Sequence, residues 1–235
     1  MPGYAAKVLL VLLVLSLSAC AALDEWPGPA SPDNNDQAVI ADGLREALRV
    51  GSERASARLN HTDAYFGDPR FRIALPESLH SAAGQLRRIG MGHRVDQLEL
   101  AMNRAAEAAA SEAAKVFLAA IRQMQPADVQ AVFRGGDDAA TRYLRQVAGP
   151  ELRQRYQPVV RRQLENVRGL EHYQELAKAW NRLPGVGPLD ADMEAWVTER
   201  ALDGLFDALA EEEARIRRDP VARSTALLRQ VFGPG

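Results

Sequence analysis

A single cysteine in 235 residues leaves this chain without an internal disulfide and without a Cys-based zinc cluster. Lysine is nearly as scarce: Lys7, Lys115 and Lys178 stand against 26 arginines. GC-rich coding produces such a bias, and arginine also makes the better bidentate ion pairs. A basic surplus is missing too. The net charge is −2, and beyond residue 19 the chain has 28 basic against 31 acidic residues, Lys7 being the only charge before it. That balance excludes general nucleic-acid binding, which needs excess positive charge to neutralise phosphates. No GxSxG, SxxK or GxxxxGK occurs, and Gly185-x-Gly187 does not follow a strand, so an ordinary hydrolase or nucleotide enzyme is disfavoured. The four histidines (His61, His80, His93, His172) form no HExxH and no paired ligand spacing, so neither a metal site nor a cofactor is expected. The amino-terminal apolar core, Val8 to Leu17, has ten residues, against the roughly 20 that a ~30 Å hydrocarbon layer requires.

That short apolar run has its own meaning. Residues 1–20 read MPGYAAKVLLVLLVLSLSAC: a short positive start at Lys7, an apolar core, then Leu17-Ser18-Ala19-Cys20. The order matches an export signal. Its end resembles the bacterial lipobox, in which a branched apolar residue and two small ones precede a cysteine that becomes acylated. The expectation is a signal peptide over 1–19 and lipidation at Cys20, with palmitate-type chains tethering the protein to a membrane; two or three chains anchor stably where one is marginal. The alternative is a secreted protein cut after Ala19. Ala21, where an Asp would favour inner-membrane retention, leans the reading toward the periplasmic face of the outer membrane. Residues 20–36 then hold three prolines and a run of Asp and Asn that cannot bury a core, and read as a flexible tether.

From residue 37 to 233 the hydrophobic period is close to 3.6, and the fold class expected is all-α, a single bundle of about eight or nine helices. Val39, Ile40, Leu44, Ala47, Leu48 and Ala55 line a first helix. Phe71-Arg72-Ile73-Ala74-Leu75 alternates like a strand until Pro76, but one strand makes no sheet, so an extended segment laid on helices is expected. A helix from about Pro76 to Ile89 follows, then the longest regular stretch, Arg94 to Met124, rich in alanine. Pro126 opens a short helix that Gly135-Gly136 ends; Asp137 or Asp138 caps the next, through Ala148. Pro150 reads as the start of another, which Pro158 kinks or breaks. Leu170 to Leu183 and a long amphipathic helix from Asp190 to Arg218 come next, with Met193, Trp196, Val197, Leu202, Leu205, Phe206, Leu209 and Ile216 on one face. Asp219-Pro220 reads as the cap and first position of a last helix burying Leu227, Leu228, Val231 and Phe232.

Several segments resemble one family. LREALRVGSERA (44–55), RIALPESL (72–79), MNRAAEAA (102–109), DDAATRYL (137–144), VTERALDGLFDALAEEEARIRRDP (197–220) and ARSTALLRQVFG (222–233) are similar to the uncharacterised bacterial lipoprotein family known as domain of unknown function 4197. The resemblance covers nearly all of residues 40–233 and is most specific over 197–233. It implies an envelope location and a recurring fold. It implies no activity and carries over no catalytic residues.

Candidate contacts come in three groups. Glu99, Asn103 and Glu107 stack at four-residue spacing beside Arg104; they suit acid–base work if buried, or a polar seam to neighbouring helices. Tyr65, Phe66 and Phe71 fall in one irregular loop, as a binding surface or as a small cluster pinning it. Nine acids in 190–213 face only Arg200, and five arginines in 151–168 face only Glu151 and Glu165, so the two helices suit each other as a salt-laced pair, with Arg200 and Asp203 candidate contacts for a ligand or partner. Glu211–Arg215 and Glu213–Arg217 have the favourable helical polarity. His93, Asp96 and Glu99 share a helical side but are expected to be a solvated helix start. Three functions remain: a non-catalytic envelope domain docking a protein partner or supporting the outer membrane, a carrier or sensor of a lipid ligand, and an enzyme with an unrecognised polar cleft.

Overall fold

The computed structural model describes residues 34–219 and 222–232; Cys20, Pro220, Gly233 and the expected tether of residues 20–36 as far as residue 33 lie outside them, and helix begins within that expected tether, at Asn34. The described residues are all-α. They form nine α-helical segments: α1 (Asn34–Leu59), α2 (Glu77–Leu86), α3 (Gly92–Ala109), α4 (Ala113–Arg122), α5 (Pro126–Arg134), α6 (Ala139–Asn166), α7 (Gly169–Trp180), α8 (Met193–Arg218) and α9 (Ala226–Phe232). A π turn at Arg87–Met91 joins α2 to α3, and a 3-10 turn at Ala110–Glu112 joins α3 to α4. The first join bends at Gly90, whose φ of 86° lies in the left-handed region that glycine adopts without strain. The stretch read as one helix from Arg94 to Met124 thus ends at Arg122 and is interrupted once.

α3 is the axis of the core. Val95, Leu98, Met102, Ala105, Ala106 and Ala109 are all completely buried. Short side chains let neighbours approach: a Cβ on Gly169, at the start of α7, would sit 3.0 Å from Ala101. α6 packs on α3, α4, α5, α7 and α8. Its buried stripe is Leu144, Ala148, Leu152, Tyr156, Val160 and Leu164, one residue in every four. A four-residue step overshoots a 3.6-residue turn by about 40°, so this stripe winds round the helix and meets several partners in turn.

That stripe also corrects the reading of Pro150 and Pro158. Neither starts or ends a helix; both lie inside α6, which runs unbroken from Ala139 to Asn166. Each proline removes one backbone hydrogen bond at a local cost of up to about 3 kcal/mol. Burial of Leu152, Tyr156, Val160 and Leu164 between and beyond them offsets that cost.

The last helix is corrected as well. Asp219 is the C-cap of α8, and α9 begins seven residues later at Ala226. Thr225 caps it, its Oγ1 accepting from the Leu228 N–H at 3.2 Å. Between the two helices Arg223 is buried, donating to the carbonyls of Ile216 and Arg217 at 3.1 and 3.0 Å. It satisfies carbonyls at the end of α8 that no helical N–H can reach. Leu228, completely buried, packs with Ala47, Val50 and Ile216 in a satellite cluster that ties α9 to α1 and α8. Leu227 is only half-buried.

No helix among the described residues is long and apolar enough to cross a membrane.

Candidate docking groove along α8

The site is built from the 60–76 connection between α1 and α2. Asp63, with φ 67°, reverses the chain so that Tyr65 turns inward. The ring of Tyr65 is fully buried, and its hydroxyl donates to the Ala201 carbonyl of α8 at 2.7 Å. Burial holds the phenol well above its ordinary pKa. The ring reaches α8 only because Gly204 lacks a side chain: a Cβ there would lie 2.9 Å from Tyr65 Cε1. Phe71 is buried edge-on to Tyr65, with centroids 6.5 Å apart.

α3 supplies the anchors. Glu107 accepts from the Tyr65 and Phe66 N–H groups at 3.2 and 3.4 Å and from Arg104 at 2.7 Å. Arg104 also reaches Asp63 at 2.7 Å. Asn103, completely buried, pairs with the backbone of Ile73 as a neighbouring strand would: its Oδ1 accepts from the Ile73 N–H at 2.8 Å, and its Nδ2 donates to the Ile73 carbonyl at 3.0 Å and to Glu99 O at 2.8 Å. Asn103, Arg104 and Glu107 therefore form a polar seam that fastens the 60–75 segment to α3. The Asn103 amide, both Glu107 oxygens and the Nη1 and Nη2 groups of Arg104 are engaged internally. Tyr65 and Phe71 pin the segment in the same way. Phe66 stays half-buried at the surface, under the guanidinium of Arg72 at 4.2 Å from its ring centroid.

Beyond Phe71 the chain is extended. Phe71, Ile73 and Leu75 are buried; Arg72 and Ala74 are exposed, as the alternation predicts. In an extended chain the N–H and C=O of successive residues face opposite edges. Ile73 faces Asn103 on α3. Ala74 faces α8, where its carbonyl accepts from Trp196 Nε1 at 3.0 Å. Between this second edge and α8 lies an open groove of about 550 Å³. Its walls include Arg72, Ala74, Glu77, Trp196, Arg200, Asp203 and Asp207. A second depression of about 280 Å³ lies on the other side of α8, along Arg145, Arg153, Glu199 and Asp203.

The charges around α8 fall into pairs. Arg153 and Arg161 of α6 reach Glu199 and Glu194, and Arg145 reaches Asp203 at 3.1 Å. The basic and acidic helices do face each other. The Arg153 contact holds the Glu199 carboxyl below the usual carboxylate range. Glu213 pairs with Arg217 as its spacing predicts, but Glu211 turns to Arg58 and Arg70, and Arg215 binds Glu212 instead. Asp96 and Glu99 are taken by Arg87 and Arg72. Among the described residues no three His, Cys, Asp or Glu side chains converge as metal ligands.

The structure thus divides the residues singled out in the sequence. Asn103, Arg104, Glu107, Tyr65 and Phe71 come together as an internal clamp, while Arg200 and Asp203 line the groove across α8. Trp196 was placed on the core face by its spacing; it is half-buried, with its indole N–H turned to the segment. Arg70, Glu77, His80, Asp207 and the segment of Arg72 and Ala74 also line the groove; the uninterrupted alternation before Pro76 is the sequence signal that marks the segment.

A search of curated proteins and one of solved structures find no match to the chain. A family model does: it spans residues 34–233 and describes a protein of unknown function (DUF4197). The chain belongs to that family.

Proposed function

We propose that this family member is an acyl-anchored lipoprotein of the bacterial envelope whose helical domain is a non-catalytic docking module. The anchor rests on Leu17-Ser18-Ala19-Cys20 and the export signal before it. The tether of residues 21–33, up to ~3.5 Å per residue when extended, gives the domain room to stand off a bilayer.

The observation that carries the docking reading is the 550 Å³ groove: open to solvent, walled by one edge of an extended chain and by α8, and floored where Tyr65 and Phe71 pack beneath. The carboxylates of the seam and groove offer less. Glu107 spends its oxygens on two backbone N–H groups and Arg104, and Asp203 is an exposed partner of Arg145 and Arg200. A lipid carrier needs a mostly apolar cleft of roughly 300–1,000 Å³; the apolar space between α1, α6 and α8 is about 20 Å³, enough for one water, and the 550 Å³ groove carries Arg70, Arg72, Arg200, Glu77, Asp203 and Asp207 along its walls.

Two measurements in living cells test the reading. An alkyne-labelled palmitate analogue should enter the wild-type protein and not Cys20→Ala, which should leave the membrane fraction. A photo-cross-linking amino acid at position 200, in the groove, should trap a discrete partner, and one at Lys178 on α7 should not. Equal yields at both positions, or none at 200, would remove the docking role.

A further inference from the structure

The groove wall made by residues 71–75 has a paired edge and an open one. Ile73 is closed off by Asn103. On the α8 edge, the Ala74 carbonyl is taken by Trp196 and the Arg72 N–H by Asp68 O. Among the described residues nothing accepts from the Ala74 N–H and nothing donates to the Arg72 carbonyl. These two groups flank one residue's length of chain, the spacing at which a neighbouring strand offers one C=O and one N–H.

The side chains around them are unequally committed. Arg70 is bound by Asp68 and Glu211, Arg72 by Glu99, and Arg200 by Asp203. Glu77 has no cation partner among the described residues, and Asp207, with its side chain 68 % exposed, meets only Arg145 at 4.0 Å. With His80, the remaining ionisable wall residue, counted as neutral at pH 7, the charge left uncompensated along the groove is negative.

We infer that the groove takes an extended, basic peptide segment of a partner protein, which adds to the open edge of residues 72–74 as a strand. This rests on the docking reading above and names its occupant. Main-chain hydrogen bonds to Arg72 and Ala74 supply the pairing, as in strand addition to a sheet edge. Alternate side chains of the occupant then point to the apolar floor and to the rim, where Glu77 and Asp207 receive its cations.

Ala74→Pro separates pairing from folding. Proline removes the Ala74 N–H, which no described group uses, and an extended backbone tolerates it; the residue before a proline is pushed to extended geometry, which Ile73 already has. The test uses the full-length protein in a non-ionic detergent, with two fluorescein-labelled nonapeptides, one alternating valine with lysine and one alternating valine with glutamate. Anisotropy should show the lysine peptide binding wild type and slow exchange at the Ala74 amide. Binding should fall at least tenfold with Ala74→Pro, at least tenfold with the glutamate peptide, and severalfold with Glu77→Gln/Asp207→Asn. Unchanged thermal unfolding of Ala74→Pro shows that the fold is kept. Equal binding by Ala74→Pro, or no binding of the lysine peptide to wild type, overturns the inference. If cross-links at position 200 persist in Ala74→Pro cells at wild-type yield, strand pairing falls while docking stands; if they are absent from wild type, docking itself falls.

Discussion

Asn103 makes three hydrogen bonds in the seam, two of them to the backbone of Ile73. It presents an amide to the backbone of Ile73 where a sheet would present another strand, and it is completely buried while doing so. Asn103→Leu keeps the volume and strands a buried N–H and C=O, which costs about 1–3 kcal/mol for each group left unsatisfied. Urea unfolding should show a loss of about 2–6 kcal/mol, and the 60–75 loop should become the first site of proteolysis. His172 is a second informative side chain. Burial, reinforced by Arg94 and Arg168, lowers its pKa, against the opposing pull of Glu175 and Glu171. Its Nδ1 lies 3.2 Å from Arg94 Nη1, so the neutral ring accepts there. The unfolded chain therefore binds the proton more readily than the folded one. Stability is complete above the ordinary value of 6.5 and declines as pH falls through it toward the folded pKa. His172→Gln should flatten that slope; an unchanged profile between pH 7 and 5 would show that other groups govern it.

Helix ends show why local sequence rules succeed in one place and fail in another. Asp192 caps α8 as an N-cap should, accepting from the Ala195 N–H at 2.9 Å. Asp138 occupies the same position on α6 yet makes no cap; its side chain goes to Arg142. Glu213, on α8, does the capping instead, accepting from the N–H groups of Ala140 and Thr141, 73 and 72 residues away, and from the Thr141 hydroxyl at 2.8–3.0 Å. A carboxylate at a helix N-terminus is favoured by the aligned peptide dipoles. Glu213→Ala leaves those donors and Arg217 without their acceptor and should cost about 3 kcal/mol, the range for breaking a buried charged network. Asp138→Ala should cost under about 1 kcal/mol, since an exposed ion pair contributes little. Thermal unfolding of the two variants side by side checks the contrast. The periodic face of α8 and the alternation of residues 71–75 were readable because each depends on a local repeat. The cap of α6, its passage through Pro150 and Pro158, and the start of α9 were not, because distant packing decides each of them.

Across the domain the same division holds. Composition and periodicity mark an all-α chain with a basic helix laid on an acidic one, and α6 and α8 are that pair. Asn103, Arg104 and Glu107, whose spacing suits either acid–base work or a polar seam, form a seam that fastens a surface segment. What their fastening creates, an extended edge facing Trp196 and α8, has no signature in residue type because it is made of backbone. The strand pairing inferred for the groove depends on that edge being open in the free protein. Residue-resolved amide hydrogen exchange on the full-length protein measures this directly. The Ile73 amide, bound by Asn103, should exchange slowly, and the Ala74 amide beside it should exchange near the rate of an unstructured peptide. Strong protection at Ala74 in the absence of any partner, or equal rates at the two positions, would contradict the open edge and with it the addition of a partner strand to the groove.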